Sequence, residues 1–423
     1  TGWVAILSDA AGGASTPRVV VDAAGRALAV WQQITPSGQD VWASRYLPAS
    51  GWSAPTLLDN SNGGVRELQI TMHRTSGRAM VAWQQITSAS GYDLWARPFD
   101  PGTGWGTAAT VENAAGALGY SSIGMDADGN AMAVWSQLDG RFSVWANRFL
   151  RQGGWGTASL IETNDAVGAT DGDPQVAVAP NGDAVAVWKQ STGSAAHLWS
   201  NRFSAASGWA SASPVVQDAG STQFIGGFDL ALDAAGNGLL VWGQLDVVAG
   251  GNESSVWARR FASGAWQIER FALAPPVAAS TGLISQPALT LNAAGSALVV
   301  WGREDGSLVA NAAPPNAAFG NASVFRAAGS HTLGGLPEVG LDDQGTALVV
   351  WAESGTGTTP GLWLARGGLG LAWEAPAVFV DTDGADSTPA LAVNERGDAL
   401  MAWSRLFASG GSRIMARQLA AGR

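Results

Sequence analysis

Arginine recurs in this chain at a fixed distance from tryptophan, the pattern of a repeated recognition group more than of a single reaction centre. Arg45, Arg148, Arg202, Arg260 and Arg366 each follow a Trp by three positions, while Arg97 and Arg417 follow a Trp or Met by two. A guanidinium is planar and permanently charged, stacks on aromatic faces and donates to hydroxyls, carboxylates or carbonyls. Two uses follow from that chemistry. The arginines either bond ligand hydroxyls or an anion in pockets repeated between units, or brace one unit against the next. A second polar series stands two residues after another Trp: Gln33, Gln85, Gln137, Gln190 and Gln244, then Arg303, Glu353 and Arg405. Five amides followed by three departures suggest a binding rim more than a packing requirement. A third series, Trp52, Trp105, Trp155 and Trp209, follows Gly and offers flat apolar platforms. Such platforms stack on sugar rings or pack within a core.

Residues for bond-making chemistry are sparse by comparison. The three histidines, His73, His197 and His331, fall at unrelated places and do not form a metal triad. There is no G-x-S-x-G, P-loop or H-E-x-x-H pattern. Acidic runs occur at TNDAVGATDGDP (163–174) and VDTDGADS (380–387). There Asp165, Asp171, Asp173, Asp381, Asp383 and Asp386 alternate with small residues as calcium loops do, without the twelve-residue EF-hand spacing. Asp171, Asp173, Asp381 and Asp383 are the calcium candidates; no other cofactor is expected.

The elements that must position these side chains come from an internal repeat. Trp31, Trp83, Trp135, Trp188, Trp242, Trp301, Trp351 and Trp403 are spaced by 52, 52, 53, 54, 59, 50 and 52 residues. A second register holds Trp42, Trp95, Trp145, Trp199, Trp257 and Trp363, with Leu308 and Met415 in the remaining places. The G-W register holds Trp3, Trp52, Trp105, Trp155, Trp209, Trp266 and Trp373, with Phe319 in the eighth place. Each unit reads as four short strands. The first, x-P-x-V-x-V, ends in a D/N-x-x-G-type turn whose Gly suits a positive φ. The second, A-L-A-V-W-x-Q, is apolar throughout and should be buried on both faces. Four places before its Trp the residue is always Ala or Gly, as close packing of neighbouring sheets requires. The third is V-W-A-x-R-F, and the fourth starts at G-W and runs to an acid such as Asp59, Glu112 or Glu162.

Eight four-stranded units predict an all-β, eight-bladed β-propeller of antiparallel blades forming one domain over residues 1–423. Residues 1–9 are a fourth strand with nothing before it, and 386–419 are three strands with no fourth after them. Together they complete one blade, closing the ring without an open seam. Loops between second and third strands differ in every unit, the longest being 245–255, and are where private binding features belong.

Composition narrows the partners. A formal charge of -11, with Lys189 the lone lysine among 23 basic residues, argues against nucleic acid. The absence of Cys removes disulfides and thiolate chemistry. No apolar run is long enough to span a bilayer as a helix. A soluble, secreted or cell-surface protein, bacterial in character, is the expectation.

The D-x-x-G hairpin followed by a Trp-ended strand resembles the Asp-box hairpin of sialidase-type propellers. That box has one residue between Asp and Gly, whereas in Asp126–Ala127–Asp128–Gly129 two residues separate Asp126 from Gly129 and none separates Asp128 from it. The whole-chain pattern of Trp-rich units with recurring G-W and Arg is similar to bacterial and fungal propeller lectins. Those lectins bind sugars between blades through Arg, Glu and Trp. The arginine triad and Tyr–Glu pair of sialidases are not discernible among Tyr46, Tyr92 and Tyr120. The resemblance implies a multivalent lectin-like protein that binds a glycan or surface polysaccharide without cleaving it. A polysaccharide-active glycosidase or lyase with one site on the loop face, and a protein–protein scaffold, remain the alternatives.

Overall fold

The computed structural model describes residues 4–419 except 9–11, 37, 60–62, 89–90, 114–115, 164–168, 193–195, 217–221, 249–250, 279–285, 330, 356–360, 371, 380–383 and 409. The chain forms eight antiparallel sheets, most of four strands, arranged as an eight-bladed propeller. Blade 1 spans 14–58, blade 2 65–111, blade 3 118–161, blade 4 169–216, blade 5 222–278, blade 6 288–326, blade 7 331–379 and blade 8 384–419. Among the described residues there is no helix, so none is long and apolar enough to cross a membrane.

Ring closure follows the expectation. Ala5 and Ile6 pair antiparallel with Ala416 and Met415, making the N-terminal segment the outer strand of blade 8. Leu7 N donates to Ile414 O at 2.8 Å, and Ser8 Oγ accepts from Ile414 N at 2.9 Å. Trp3 lies outside the described residues.

The second-strand tryptophans are the core. All eight are fully buried, each packed against the preceding blade. Trp31, for example, clusters with Leu400, Ala402 and Ala416 of blade 8. A buried indole removes about 150–250 Å² from water, so this ring dominates the cohesion between blades. The small residue four places earlier is buried as well. At Gly238 an added Cβ would come within 2.5 Å of Leu232 and 2.8 Å of a backbone oxygen.

On one face the turns between first and second strands form a hydrogen-bonded girdle. Their final glycines, Gly25, Gly77, Gly129, Gly182, Gly236, Gly295, Gly345 and Gly397, all take positive φ. Asn394 Nδ2 donates to Asp22 O at 2.9 Å, Ala23 N to Arg74 O at 2.8 Å, and Asn292 Nδ2 to Asp342 O at 3.1 Å. Each bond ties a blade to its neighbour. The Asp-box-like sequence thus builds the turn and its link to the next blade.

Three features depart from the expected pattern. Val309, not Leu308, stands opposite Trp301, because the tight turn at 304–307 shifts the third strand of blade 6 by one residue. The fourth strand of blades 1 to 4 is split, its two short pieces both pairing with the third strand. The stretch 245–255 is mostly ribbon, with Gly238–Val248 paired to Gly251–Ala262.

Candidate functional site

The polar series after the second-strand Trp faces the indole. Gln33, Gln85, Gln137 and Gln244 are buried and accept from the Nε1 of Trp31, Trp83, Trp135 and Trp242 at 2.9–3.1 Å. A buried indole N–H without an acceptor costs roughly 1–3 kcal/mol, which explains why an acceptor recurs. Glu353 takes the same place for Trp351 at 3.0 Å and accepts from Arg326 Nε at 3.1 Å. In blade 8 the acceptor is Asp386, gripped by Arg405 at 2.7 and 3.0 Å. Gln190 is equally buried, but neither its amide nor the Trp188 indole has a partner among the described residues.

The arginines separate into two groups by offset. Residues two places after the third-strand Trp, or after Val309 in blade 6, face the preceding blade. Asn147 Nδ2 donates to Val111 O of blade 2 at 2.7 Å and to Gly156 O of its own blade at 3.0 Å. Asn201 and Asn311 repeat that clamp on blades 3 and 5. Arg97 performs it with Leu58 O at 2.7 Å and Gly106 O at 2.8 Å, and Arg259 with Val215 O and Gln267 O. Arg417 occupies this place in blade 8 and lies over Phe379 of blade 7. The asparagines were not singled out from sequence, although their shared offset with Arg97 is the signal that finds them.

Residues one place further project toward the following blade. Arg45 lies over Phe99 of blade 2 at 5.4 Å, and Arg148 over Phe203 of blade 4 at 5.1 Å. Arg260 lies 5.8 Å from Phe319 of blade 6 and donates to Ala317 O, while the exposed Arg202 reaches Gly264 O at 3.3 Å. Arg366 lines a cavity of about 220 Å³ between blades 7 and 8, with Asp342, Arg396 and Val393. Phe99 and Phe203 pair across strands with the G-W tryptophans of their own blades. Phe99–Trp105, Phe149–Trp155 and Phe203–Trp209 have centroids 4.9, 5.5 and 5.4 Å apart, and Tyr46–Trp52 5.2 Å. Trp52, Trp105, Trp155 and Trp209 are half-buried and pack toward the preceding blade.

Between blades 3 and 4 this arrangement opens into a groove of about 300 Å³, lined by Arg148, Gly154, Trp155, Thr157, Phe203 and Trp209. The Arg148 guanidinium is partly exposed, and its polar contact is a 3.9 Å approach to Asp126. Its side chain shares the groove wall with Trp155 and the Phe203–Trp209 pair.

A cavity of about 690 Å³ forms the mouth of the central channel on the loop face. It is lined from the innermost strands of blades 1 to 5, with Lys189 from the second strand of blade 4 and Gln286 from the approach to blade 6. One repeat position supplies Gln69, Ser122, Gln175 and Asp229, each bonded to the backbone of the next innermost strand. Asp229 Oδ2 accepts from Leu289 N at 2.8 Å, and burial pushes its carboxyl up to about 7. Glu67 and Asp173 sit at bulges in these strands with φ near 52°.

Acids closing the fourth strands bond inward. Asp59 accepts from Val41 N and Gln85 Nε2, both at 3.0 Å, and Glu112 from Leu94 N at 2.9 Å. Burial raises Asp59 to about 6 and Glu112 to about 7. His73 replaces the Asp of its turn, its Nδ1 accepting from Ser76 N at 3.3 Å. Of the calcium candidates, Asp173 pairs with Lys189 at 2.8 Å; Asp381, Asp383 and the Asp171 side chain lie outside the described residues. Among the described residues no three His, Asp or Glu side chains converge as a metal site.

No protein-family model matches this chain, and no curated protein sequence matches it. Solved structures share its fold. An ulvan lyase, described as a new family of polysaccharide lyase, is 8% identical over 98% of this chain and 95% of its own, with a TM-score of 0.52. The polysaccharide lyase Uly1 is 12% identical over 85% of this chain and 90% of its own, with a TM-score of 0.52. A lectin from Burkholderia pseudomallei is 11% identical over 87% of this chain and 100% of its own, with a TM-score of 0.51. At these identities the likeness concerns the fold.

Proposed function

We propose that this protein is a non-catalytic carbohydrate-binding propeller whose sugar sites lie in the grooves between blades, with the blade 3–4 groove the principal one. The observation that carries this reading is Arg148, held over Phe203 beside Trp209 on the wall of an open groove. A sugar ring presents an apolar C–H face to an aromatic and hydroxyls to a guanidinium, so this pair matches both halves of it. Arg45 and Arg202 offer the same guanidinium in other grooves, giving weak sites that add by multivalency. That the fold neighbours include a lectin and polysaccharide lyases supports the reading as an analogy at fold level. The polysaccharide-active alternative draws on the carboxylates of the channel mouth, Glu67, Asp173 and Asp229.

A glycan array on the whole chain, repeated with Arg148→Ala, tests the proposal. Binding to a defined sugar set that drops on substitution, while melting is unchanged, supports it. Equal binding by the variant, or cleavage of the bound oligosaccharide by the wild-type protein, refutes it.

A further inference from the structure

The groove between blades 3 and 4 is positively charged in a protein that is otherwise acidic. Arg148 is the one charged residue on its wall, and no carboxylate lines it. The guanidinium makes no hydrogen bond among the described residues, and none of its nitrogens is shut off from solvent. Asp126 approaches to 3.9 Å and is already engaged within its own turn. Its Oδ1 accepts from Asp128 N and Asn130 N at 3.0 and 2.8 Å, and its Oδ2 from Asn130 Nδ2 at 2.8 Å. Arg97, at the clamp position of blade 2, instead donates to the carbonyls of Leu57, Leu58 and Gly106.

The same bias runs around the ring. The outward position, three places after the third-strand Trp or its counterparts Val309 and Met415, reads Arg45, Pro98, Arg148, Arg202, Arg260, Ala312, Arg366 and Gln418. Acids outnumber bases 34 to 23 in the chain, yet this position holds arginines and no acid. Arg45 repeats the Arg148 arrangement, lying over Phe99 with no hydrogen bond from its guanidinium among the described residues. Other cavities differ. Glu67, Asp173 and Asp229 line the channel mouth, and Asp233, Asp343 and Glu395 line a cavity among the turns. A neutral hydroxyl can be met by any amide or hydroxyl; a permanent positive charge adds attraction for an anion alone.

We propose that the blade 3–4 groove selects an acidic sugar, its anionic group held by the Arg148 guanidinium and its C–H face packed on the aromatic rings of the wall. This deepens the carbohydrate reading above and rests on it. The carboxylate of a uronic acid and a sulfate ester share the chemistry, since both offer paired oxygens to the guanidinium fork. A groove of about 300 Å³ is at the small end of ligand pockets, so it takes the charged sugar and little more. The formal charge of -11 repels anions from the surface at large, so capture of one has to come from a local site.

The test is an array of matched oligosaccharides, in which neutral glucose, galactose and mannose oligomers stand beside their uronate and sulfate-ester forms. Calorimetric titration of the full chain with the best-bound set, at low and physiological salt, then gives affinities. At least one acidic form should bind about tenfold or more tightly than its neutral counterpart, with the advantage shrinking as salt rises. Whichever acid binds more tightly identifies the anion. Arg148→Gln, which keeps amide donors and removes the charge, should bring the acidic and neutral forms to about equal affinity, with its melting curve confirming the fold. Neutral sugars bound as tightly as acidic ones by the wild-type protein overturn the proposal and leave the carbohydrate reading standing. A blank array overturns both. An acidic preference undiminished in Arg148→Gln also overturns the proposal, since the selecting charge would then lie outside this groove.

Discussion

The indole Nε1 of Trp403 donates to Oδ1 of Asp386 at 3.0 Å, and this pair does the work that Trp and Gln do in the earlier blades. Asp386 lies on the first strand and Arg405 on the second, opposite each other in the ladder. The Arg at the usual acceptor position therefore cannot accept, and it holds a carboxylate that does. Both partners are buried. Asp386→Ala strands the indole and the guanidinium together and should cost about 3–5 kcal/mol, as removal of one member of a buried ion pair does. Denaturant unfolding measures it. A loss under about 1 kcal/mol would mean that water replaces the carboxylate without penalty.

Blade 6 should be the first to open. Its strands are short, Ala288–Leu291, Ala297–Gly302, Leu308–Ala313 and Ser323–Arg326. Val309 and Phe319 stand where other blades place Trp, so less apolar area is buried at its seams. Hydrogen exchange should be faster in Val299 and Ala310 than in Val134 and Ala146 of blade 3. Equal protection would show that blade opening is cooperative around the ring.

What was legible in the sequence is what repetition enforces. The buried Trp ring, the eight positive-φ glycines and the shared final blade each follow from one residue type recurring at one spacing. The one-residue shift at Val309 was hidden because blade 6 lacks the Trp that marks register elsewhere. The partner of Gln33 was hidden for a different reason. An amide two residues from a Trp can face a ligand or the indole, and only packing fixes its side-chain torsions. The channel mouth was hidden because its bulges at Glu67 and Asp173 leave no periodic trace. They place unlike residues at one spatial level, and a repeat search rewards likeness.

Closure of the ring rests on a short segment. Deleting residues 1–8 removes the partners of Ile414, Met415 and Ala416 and the Leu7 side chain from the blade 8 core. An open sheet edge would remain. The melting temperature should fall, and soluble aggregates should appear on sizing. An unchanged melting curve would show that the three remaining strands of blade 8 close the ring unaided.

Acid should stabilise the protein between neutrality and about pH 5. Asp59 titrates near 6, Glu112 near 7 and Asp229 near 7, all above their ordinary carboxylate values because burial disfavours the charge. Between those values and the ordinary carboxylate range the folded chain holds protons that the unfolded chain releases. Stability therefore falls as pH rises through that window. His73, lowered by burial, acts in the opposite sense below its ordinary value and subtracts from the effect. Melting temperature measured from pH 5 to 8 should decline, and Glu112→Gln should flatten the decline because its amide oxygen can still accept from Leu94 N. A melting temperature rising across that range would mean the carboxylates stay ionised in the fold.

The two arginine offsets give the sharpest contrast. Arg97 donates to carbonyls of two blades, Leu57 and Leu58 on one and Gly106 on its own. Truncation leaves these acceptors to find water at a seam, so Arg97→Ala should cost about 1–3 kcal/mol. Arg148 holds Asp126 at 3.9 Å across a partly exposed surface and rests over Phe203. Exposed pairs of that kind contribute about 0–1 kcal/mol, so Arg148→Ala should lie at or below the low end of the Arg97 loss. Arg202, bonded to one carbonyl at 3.3 Å and exposed, should behave like Arg148. Binding reverses the order. Arg97→Ala should leave sugar capture per folded molecule intact, whereas Arg148→Ala should reduce it, and more on a dense glycan surface than for free sugar. Urea unfolding and surface binding on the same preparations separate the two. If Arg148→Ala unfolds as readily as Arg97→Ala, the outward-facing arginines are braces as well, and the groove loses its recognition group.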